Sequence, residues 1–349
     1  MVSNKRMGIA TFEFVFSDLT NRINKDITLA DGVPIVFQLG RSVEKYDVYK
    51  YRVWNYVRDP AKSVPQYKVV GYFDAPKWFL EGWKTSLEGT SSYALSSLAT
   101  ACGLTSECDP TNDSMLWLPG NQRAMKFARS IASRGYLDDG SCMVMGMQLN
   151  GKILYKNLTT LPSTGQTFTT GDVPNTANVV DSRYLTSSGF GNTMGGYRHS
   201  VLPQRLSDTA IAIDQLNAKR KTQTFQLNKD VREIISKSRM DFGSIDAGNV
   251  HANWENARYQ NIRTAMLYSM GVELMINQRT PIDFDLFQPI MYEAYEPPST
   301  GTPELSAQFR SLYYVTAKAV YVEMGKYFEK FQAFSTGINK DPDGKGSQV

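Results

Sequence analysis

The sequence predicts an α+β protein that is mainly β: two antiparallel β-barrel or sandwich units flanking a small inserted α/β module, with helices in the middle of the chain. Three observations predict it. Period-two alternation of apolar side chains recurs toward both ends, over residues 8–16, 46–57, 266–276 and 311–334. Between these runs, residues 91–158 change to the helical period and then to a hairpin pattern. Aromatic content is high, with 19 Tyr, 17 Phe and 5 Trp, residue types that favour strands and contact surfaces.

In residues 8–16, Ala10, Phe12, Phe14 and Phe16 form one face and Thr11, Glu13 and Val15 the other, the pattern of a half-buried strand. Asp31-Gly32 is a turn, and residues 33–39 are a short apolar run containing Pro34. Over 46–57, Tyr46, Val48, Lys50, Arg52, Trp54 and Tyr56 oppose Asp47, Tyr49, Tyr51, Val53, Asn55 and Val57, so both faces are mixed. Such a strand packs one face on its own core and turns the other to a second subunit or to the second layer of a sandwich. Asp59-Pro60 breaks the run, 66–73 is a further strand, and Ala75-Pro76-Lys77-Trp78 opens an aromatic loop that runs through Trp83. Residues 1–88 therefore read as a first all-β unit, with part of 159–245 available to complete it.

Residues 89–160 read as the inserted α/β module. Tyr93, Ala94, Leu95, Leu98, Ala99 and Cys102 recur at helical spacing, and Gly103 stands where a helix stops. In a second helix, Ala124, Phe127, Ala128 and Ile131 make one stripe, Arg123, Lys126, Arg129 and Arg134 lie elsewhere round it, and Gly135 ends it. Residues 142–149 and 152–158 are strand-like runs joined by Asn150-Gly151, the strongest short-range hairpin signal.

This order of helix, small-residue helix end, tryptophan strand, helix, Gly-Tyr and hairpin resembles the α/β insert of the phage tail and baseplate hub family, the late control protein D group. The residues that carry the resemblance are Ser92, Leu95, Leu98, Ala99, Gly103-Leu104, Trp117, Phe127, Ala128, Ile131, Gly135, Tyr136 and Leu158. The C-terminal block adds to it, with 274–276, 283–292, 312–322 and 325–334 in the order of that family's second β-domain. The resemblance implies tube-like β units. It also implies a homotrimeric adaptor, with partners in the sixfold tail-tube protein, the threefold central spike and the baseplate wedge proteins, and with DNA or a tape-measure protein passing the channel.

After the hairpin the chain changes character. Residues 159–196 are rich in Thr, Ser, Gly, Asn and Pro and read as a long loop or a set of irregular extended pieces. Gly189, Gly191, Gly195 and Gly196 do not have the dinucleotide-binding spacing, and no Lys-Ser/Thr follows them as in a P-loop. Helices are expected over 203–223, 228–240 and 249–262. The first of these ends in Lys219-Arg220-Lys221, which suits a helix C-terminus. The whole of 161–262 is assigned to loop and helices, 263–338 to the second β unit with a closing hairpin turning at Met324-Gly325, and 339–349 to a polar, flexible tail.

Composition and motifs argue against catalysis. A hydrophobic content of 42% with 21% charged residues is that of an ordinary globular protein, and a formal charge of +4 is too small to argue nucleic-acid binding. No run approaches the length of a membrane helix, and the N-terminus has no secretory pattern, so residence in the host cytoplasm until assembly into the virion is expected. Cys102 and Cys142 lie in apolar patterns as core residues, and Cys108 completes an odd, sparse set. His199 in a loop and His251 near a helix start have no cluster of metal ligands around them, Asp138-Asp139 sits in a turn, and Asp283 and Asp285 share one side of an extended run. No catalytic residue, cofactor or metal ligand is assigned. The function expected is that of a structural hub, with another baseplate or tail-tip protein, or a β-rich glycan-binding or hydrolytic protein, as the alternatives. Candidate interface or lumen-facing residues are Lys50, Arg52, Trp54, Tyr56, Trp78 and Trp83 in the first unit and Lys318, Lys326 and Lys330 in the second. The plain alternative for the lysines and Arg52 is an ordinary solvated face.

Overall fold

The computed structural model describes residues 2–5, 9–20, 22–25, 29–42, 45–59, 64–138, 141–162, 165–170, 179–185, 199–203, 241–245, 251–253, 271–277, 285–296, 304–305, 311–323 and 325–334. The N-terminal part supplies β1 (Val2–Lys5), β2 (Thr11–Ser17), α1 (Arg22–Lys25), β3 (Pro34–Ser42), β4 (Lys45–Asp59) and β5 (Gln66–Phe73). Then come α2 (Pro76–Phe79) and β6 (Leu87–Gly89), followed in the module by α3 (Ser91–Ala101), β7 (Ser106–Cys108), β8 (Met115–Trp117), α4 (Ala124–Arg134), β9 (Met143–Met147) and β10 (Ile153–Asn157). The rest contributes β11 (Gln166–Thr170), β12 (Val179–Leu185), β13 (His199–Pro203), β14 (Asp241–Ile245), β15 (Gly271–Asn277), β16 (Pro289–Glu296), β17 (Glu304–Leu305), β18 (Ser311–Glu323) and β19 (Lys326–Phe334).

The protein is mainly β, as the alternation predicts, and both ends of the chain enter one 12-stranded sheet. Its main path runs β12-β15-β19-β18-β1-β2-β5-β4-β3, and β16, with β11 and β17, branches from β18. Strand β18 makes the joint. Residues 311–314 pair with β16 and 317–320 pair with β1 along the same edge, while β19 runs along the other edge. The two β units are thus continuous through the N-terminal strand.

Two cores lie along this sheet. In the N-terminal half, Phe12, Tyr51, Val53, Tyr67 and Val69 are buried, and Phe37 meets Phe12 edge-on at 4.8 Å between ring centroids. Each such ring contributes roughly 1.5–3 kcal/mol through burial. In the C-terminal half, Val272, Leu274, Ile276, Tyr313, Val315 and Phe331 form the core, and the sheet curls so that Phe168 of β11 meets Phe331 and Tyr184 of β12 meets Tyr292.

The module follows the sequence reading closely. Thr90 caps α3 by accepting from the Tyr93 N–H at 3.3 Å, and Gly103 at φ +78° ends it in the left-handed conformation that glycine tolerates. Ala94, Leu95, Leu98 and Ala99 are buried, but Tyr93, expected on the same stripe, is exposed because it lies on the far side of this face. The hairpin β9–β10 turns at Asn150-Gly151, where Asn150 Oδ1 accepts from the Lys152 N–H. Both faces of this hairpin are buried. Met145, Met147, Ile153 and Tyr155 join the N-terminal core, while Val144 and Leu154 pack with Leu286 and Phe287 of the turn before β16. The Tyr51 hydroxyl donates to the Leu149 carbonyl at 3.0 Å. The module is therefore bound to both halves of the sheet.

Two local expectations are corrected. Of residues 159–196, expected as a long loop or a set of irregular extended pieces, the described parts include two regular strands of the main sheet, β11 pairing parallel with β16 and β12 antiparallel with β15. His199, placed in a loop from sequence, opens β13, which pairs parallel with β14. The helices expected over 203–223, 228–240 and 249–262 lie outside the described residues except at Pro203, which ends β13, and at 251–253, which form a turn. Gly189, Gly191, Gly195, Gly196, Lys219-Arg220-Lys221, Asp139, Asp283, Met324 and the 339–349 tail also lie outside them.

Candidate interaction surfaces

The candidate residues of the first unit divide between core and surface. Antiparallel partners point the same way, so Phe12 and Gly71 lie with Val53 on the inner face, while Thr11 and Tyr72 lie with Arg52 on the outer face. Lys50 is exposed on β4, and Arg52 is tied down, its Nε donating to Asp74 Oδ1 at 2.7 Å and its Nη1 to the Gly32 carbonyl at 2.6 Å. Trp54 is 56% exposed on the outer face and stacks edge-on against Tyr72 at 5.4 Å. A bulge follows Val53, after which Tyr56 pairs with Val69 and returns to the inner side. Trp78 is only 2% exposed, a core residue of α2, and Trp83 donates its indole N–H to the Thr85 carbonyl. The aromatic loop anticipated from Pro76 is in fact a short helix that buries Trp78 and Phe79.

The three lysines of the second unit do not share a face. Lys318 pairs in register with Phe331 on the inner side, is 9% exposed and lies 4.0 Å from the Glu329 carboxylate. Lys330 lies on the opposite side, 2.9 Å from Glu273. Lys326 is exposed at the hairpin tip. Alternation alone counts such residues together because it fixes parity within a strand but not the parity between strands, which here is set by the turn that pairs Glu323 with Lys326.

Glu273, which sequence reading passed over, organises the outer face here. Burial works to raise its carboxyl, and hydrogen bonds from Arg183, Gln332 and Lys330 outweigh this and hold it below the usual carboxylate range. On the module, hydrogen bonds from Lys152 and Lys156 hold the Glu107 carboxyl down at about 2, and Asp109 shares Lys156 at 2.9 Å. These charges are matched within the chain.

Between the outer face of the first unit and the module lies a cleft of about 410 Å³. Trp54, Val70 and Tyr72 form its sheet side, Phe79, Leu80 and Met125 its helical side, and Glu13 and Arg123 supply its charge. Neither helical element carried a surface signal in the sequence, since Leu80 and Met125 fall beside the apolar stripes.

Among the described residues, no cluster of three His, Cys, Asp or Glu is arranged to hold a metal ion, and no helix is long and apolar enough to cross a membrane. Asp138 and Ser141 close a turn on each other, and Asp285 caps the turn before β16 through the Leu286 N–H. His251 is buried, its Nε2 2.9 Å from the Arg134 carbonyl.

Over nearly its whole length the chain is similar in fold to the tail protein from Neisseria meningitidis MC58. That structure is 10% identical and superposes with a TM-score of 0.57 over 97% of this chain and 91% of its own. The fold is one shared with a solved tail protein. The 43 kDa tail protein of prophage MuSo2 from Shewanella oneidensis matches at 9% identity and a TM-score of 0.55, over 96% of this chain and 92% of its own. No family model and no curated protein sequence matches the chain. At these identities the likeness is one of fold, and the order of elements that resembles the hub family in sequence is realised in that fold.

Proposed function

We propose that this chain is a structural component of a phage tail or baseplate: a hub whose three copies form a ring joining the sixfold tail tube to the threefold spike and continuing the tail channel. The observation that carries the reading is the construction of one sheet from two β halves in a tail-protein fold. Three copies of such a chain present about six sheet units around one axis, which is how a threefold ring meets a sixfold one. Exposed apolar residues on the outer sheet face, Val15, Val36, Val48 and Val57, supply a surface of the kind that subunit contacts cover. Among the described residues, the polar clusters at Glu107 and Glu273 are neutralised by basic side chains of this chain, which supports a structural role for them. Partners are accordingly a second and third copy, tube, spike and wedge proteins, and whatever passes the channel, in an assembled virion tail. Sedimentation of the purified chain, alone and with the tail-tube protein encoded near it, tests the reading. A trimer that binds tube protein is expected; a strict monomer at high concentration that ignores tube protein overturns it.

A further inference from the structure

The cleft beside Trp54 has a chemistry that a ring contact does not require. Its walls are apolar, and its volume of about 410 Å³ falls in the roughly 300–1,000 Å³ range of built binding pockets. Trp54 is more than half exposed and Leu80 is 45% exposed, so two large apolar side chains stand at its mouth in contact with water. Trp and Arg are the residue types in which binding energy concentrates at protein interfaces, and both line this cleft.

The charge balance says what is missing. Glu13 on the sheet side is engaged by Lys68 at 3.0 Å, whereas no carboxylate pairs with Arg123 among the described residues. Arg123 is also the N-cap of α4 and makes no side-chain capping bond there, and the first turn of that helix carries no acidic residue to offset its positive end.

We infer that this cleft is a docking site for a segment of another tail protein that presents aromatic or aliphatic side chains next to an aspartate or glutamate. The apolar side chains fill the space between Trp54, Tyr72, Leu80 and Met125, and the carboxylate meets Arg123. The choice of a tail protein as donor rests on the function proposed above; the chemistry of the segment does not.

A displayed library of random peptides, panned on the intact protein, tests this directly. Enriched peptides are expected to combine large apolar residues with a carboxylate. Their affinity, read by fluorescence anisotropy, is expected to fall about tenfold or more in Leu80→Asp. Arg123→Glu is expected to shift enrichment toward peptides with Lys or Arg. Leu19→Asp, an exposed position on the turn after β2, is the control and leaves binding unchanged. Urea midpoints of the variants show that each is folded. Absence of enrichment, or enriched peptides indifferent to Leu80→Asp and Arg123→Glu, overturns the inference. Sedimentation of the same variants separates the two readings: self-association lost in Leu80→Asp assigns the cleft to a second copy and overturns the docking site while leaving the ring intact as a proposal.

Discussion

Asp113 gives the most direct test of how the module is held together. Its side chain is 1% exposed, with Oδ1 accepting from the Ser91 N–H at the start of α3 and Oδ2 accepting from the Tyr136 N–H just past α4, both at 2.7 Å. One carboxylate therefore fixes the entry of one helix relative to the exit of the other. Replacing it with alanine leaves two buried N–H groups without acceptors, each costing roughly 1–3 kcal/mol, and removes two bonds to a carboxylate. The expected loss for Asp113→Ala is about 3–5 kcal/mol. Asp113→Asn keeps one acceptor oxygen but turns an amide N–H₂ toward the second donor, so it is expected to lose about half as much. Equilibrium urea unfolding followed by tryptophan fluorescence measures both, with midpoint and slope compared with the parent chain. If Asp113→Ala changed stability by less than about 0.5 kcal/mol, the range of a featureless surface change, the clamp would not be holding the helices.

Two further predictions follow from buried positions. Burial lowers the His251 pKa below its ordinary value; the bond to the Arg134 carbonyl and the nearby Asp113 oppose the shift, the Arg134 charge adds to it, and Nδ1 has no hydrogen-bond partner. The neutral ring is the folded form, so its contribution to stability is fully present above about 6.5 and is lost as pH falls through the lowered folded value. Urea midpoints measured from about pH 8 downward should drop more steeply in the parent than in His251→Gln, and parallel curves would contradict this. Gly151 sits at φ +86°, and a Cβ there would run into the Phe73 ring. Gly151→Ala should cost about 2 kcal/mol or more from left-handed strain and overpacking, read as a lowered thermal midpoint, whereas an unchanged midpoint would mean that the hairpin tip is not seated on β5.

The parts of the fold legible in the sequence are those fixed by short-range chemistry. Asn150-Gly151 specifies a two-residue hairpin whatever surrounds it, Gly103 stops α3, and the Ala124, Phe127, Ala128, Ile131 stripe needs no knowledge of its partner. What escaped reading depends on distant partners. Strand β1 is the tetrapeptide VSNK, with no alternation to announce it, and it is a strand because β2 and β18 pair with it on either side. Strand β11, QTFTT, buries only Phe168 and is held by parallel pairing with β16 over a long stretch of intervening chain. Asp113 lies in a turn-rich gap where aspartate is common, and its clamp appears only when α3 and α4 are brought together. Trp78 reads as an interface or lumen candidate because Pro76 suggests a loop, yet the same proline is well suited to the first turn of a helix.

Lys318 shows why the seam between the halves had to be read from the structure. In sequence it is a lysine in an alternating strand, and such lysines usually mark a solvated face. Here it points to the inner side with Phe331, beside Glu329, whose Oε1 accepts from the Tyr327 hydroxyl at 3.1 Å. Val320, two residues on, belongs to the N-terminal core, and Phe331 belongs to the C-terminal one, so this polar group stands where one core gives way to the other. A buried ion pair is weak evidence of stability, because desolvation offsets most of its attraction. It is better suited to fixing register. A slip of β19 by one residue along β18 would turn Glu329 to the outer face and bring the side of β19 that carries Lys330 and Gln332 round to Lys318, setting a second cation or an amide against the buried ammonium in place of the carboxylate. The place where β18 leaves β16 and takes up β1 is also where an error in register would misalign the two halves. A polar pair at that point discriminates against the slip in a way that two more apolar side chains would not.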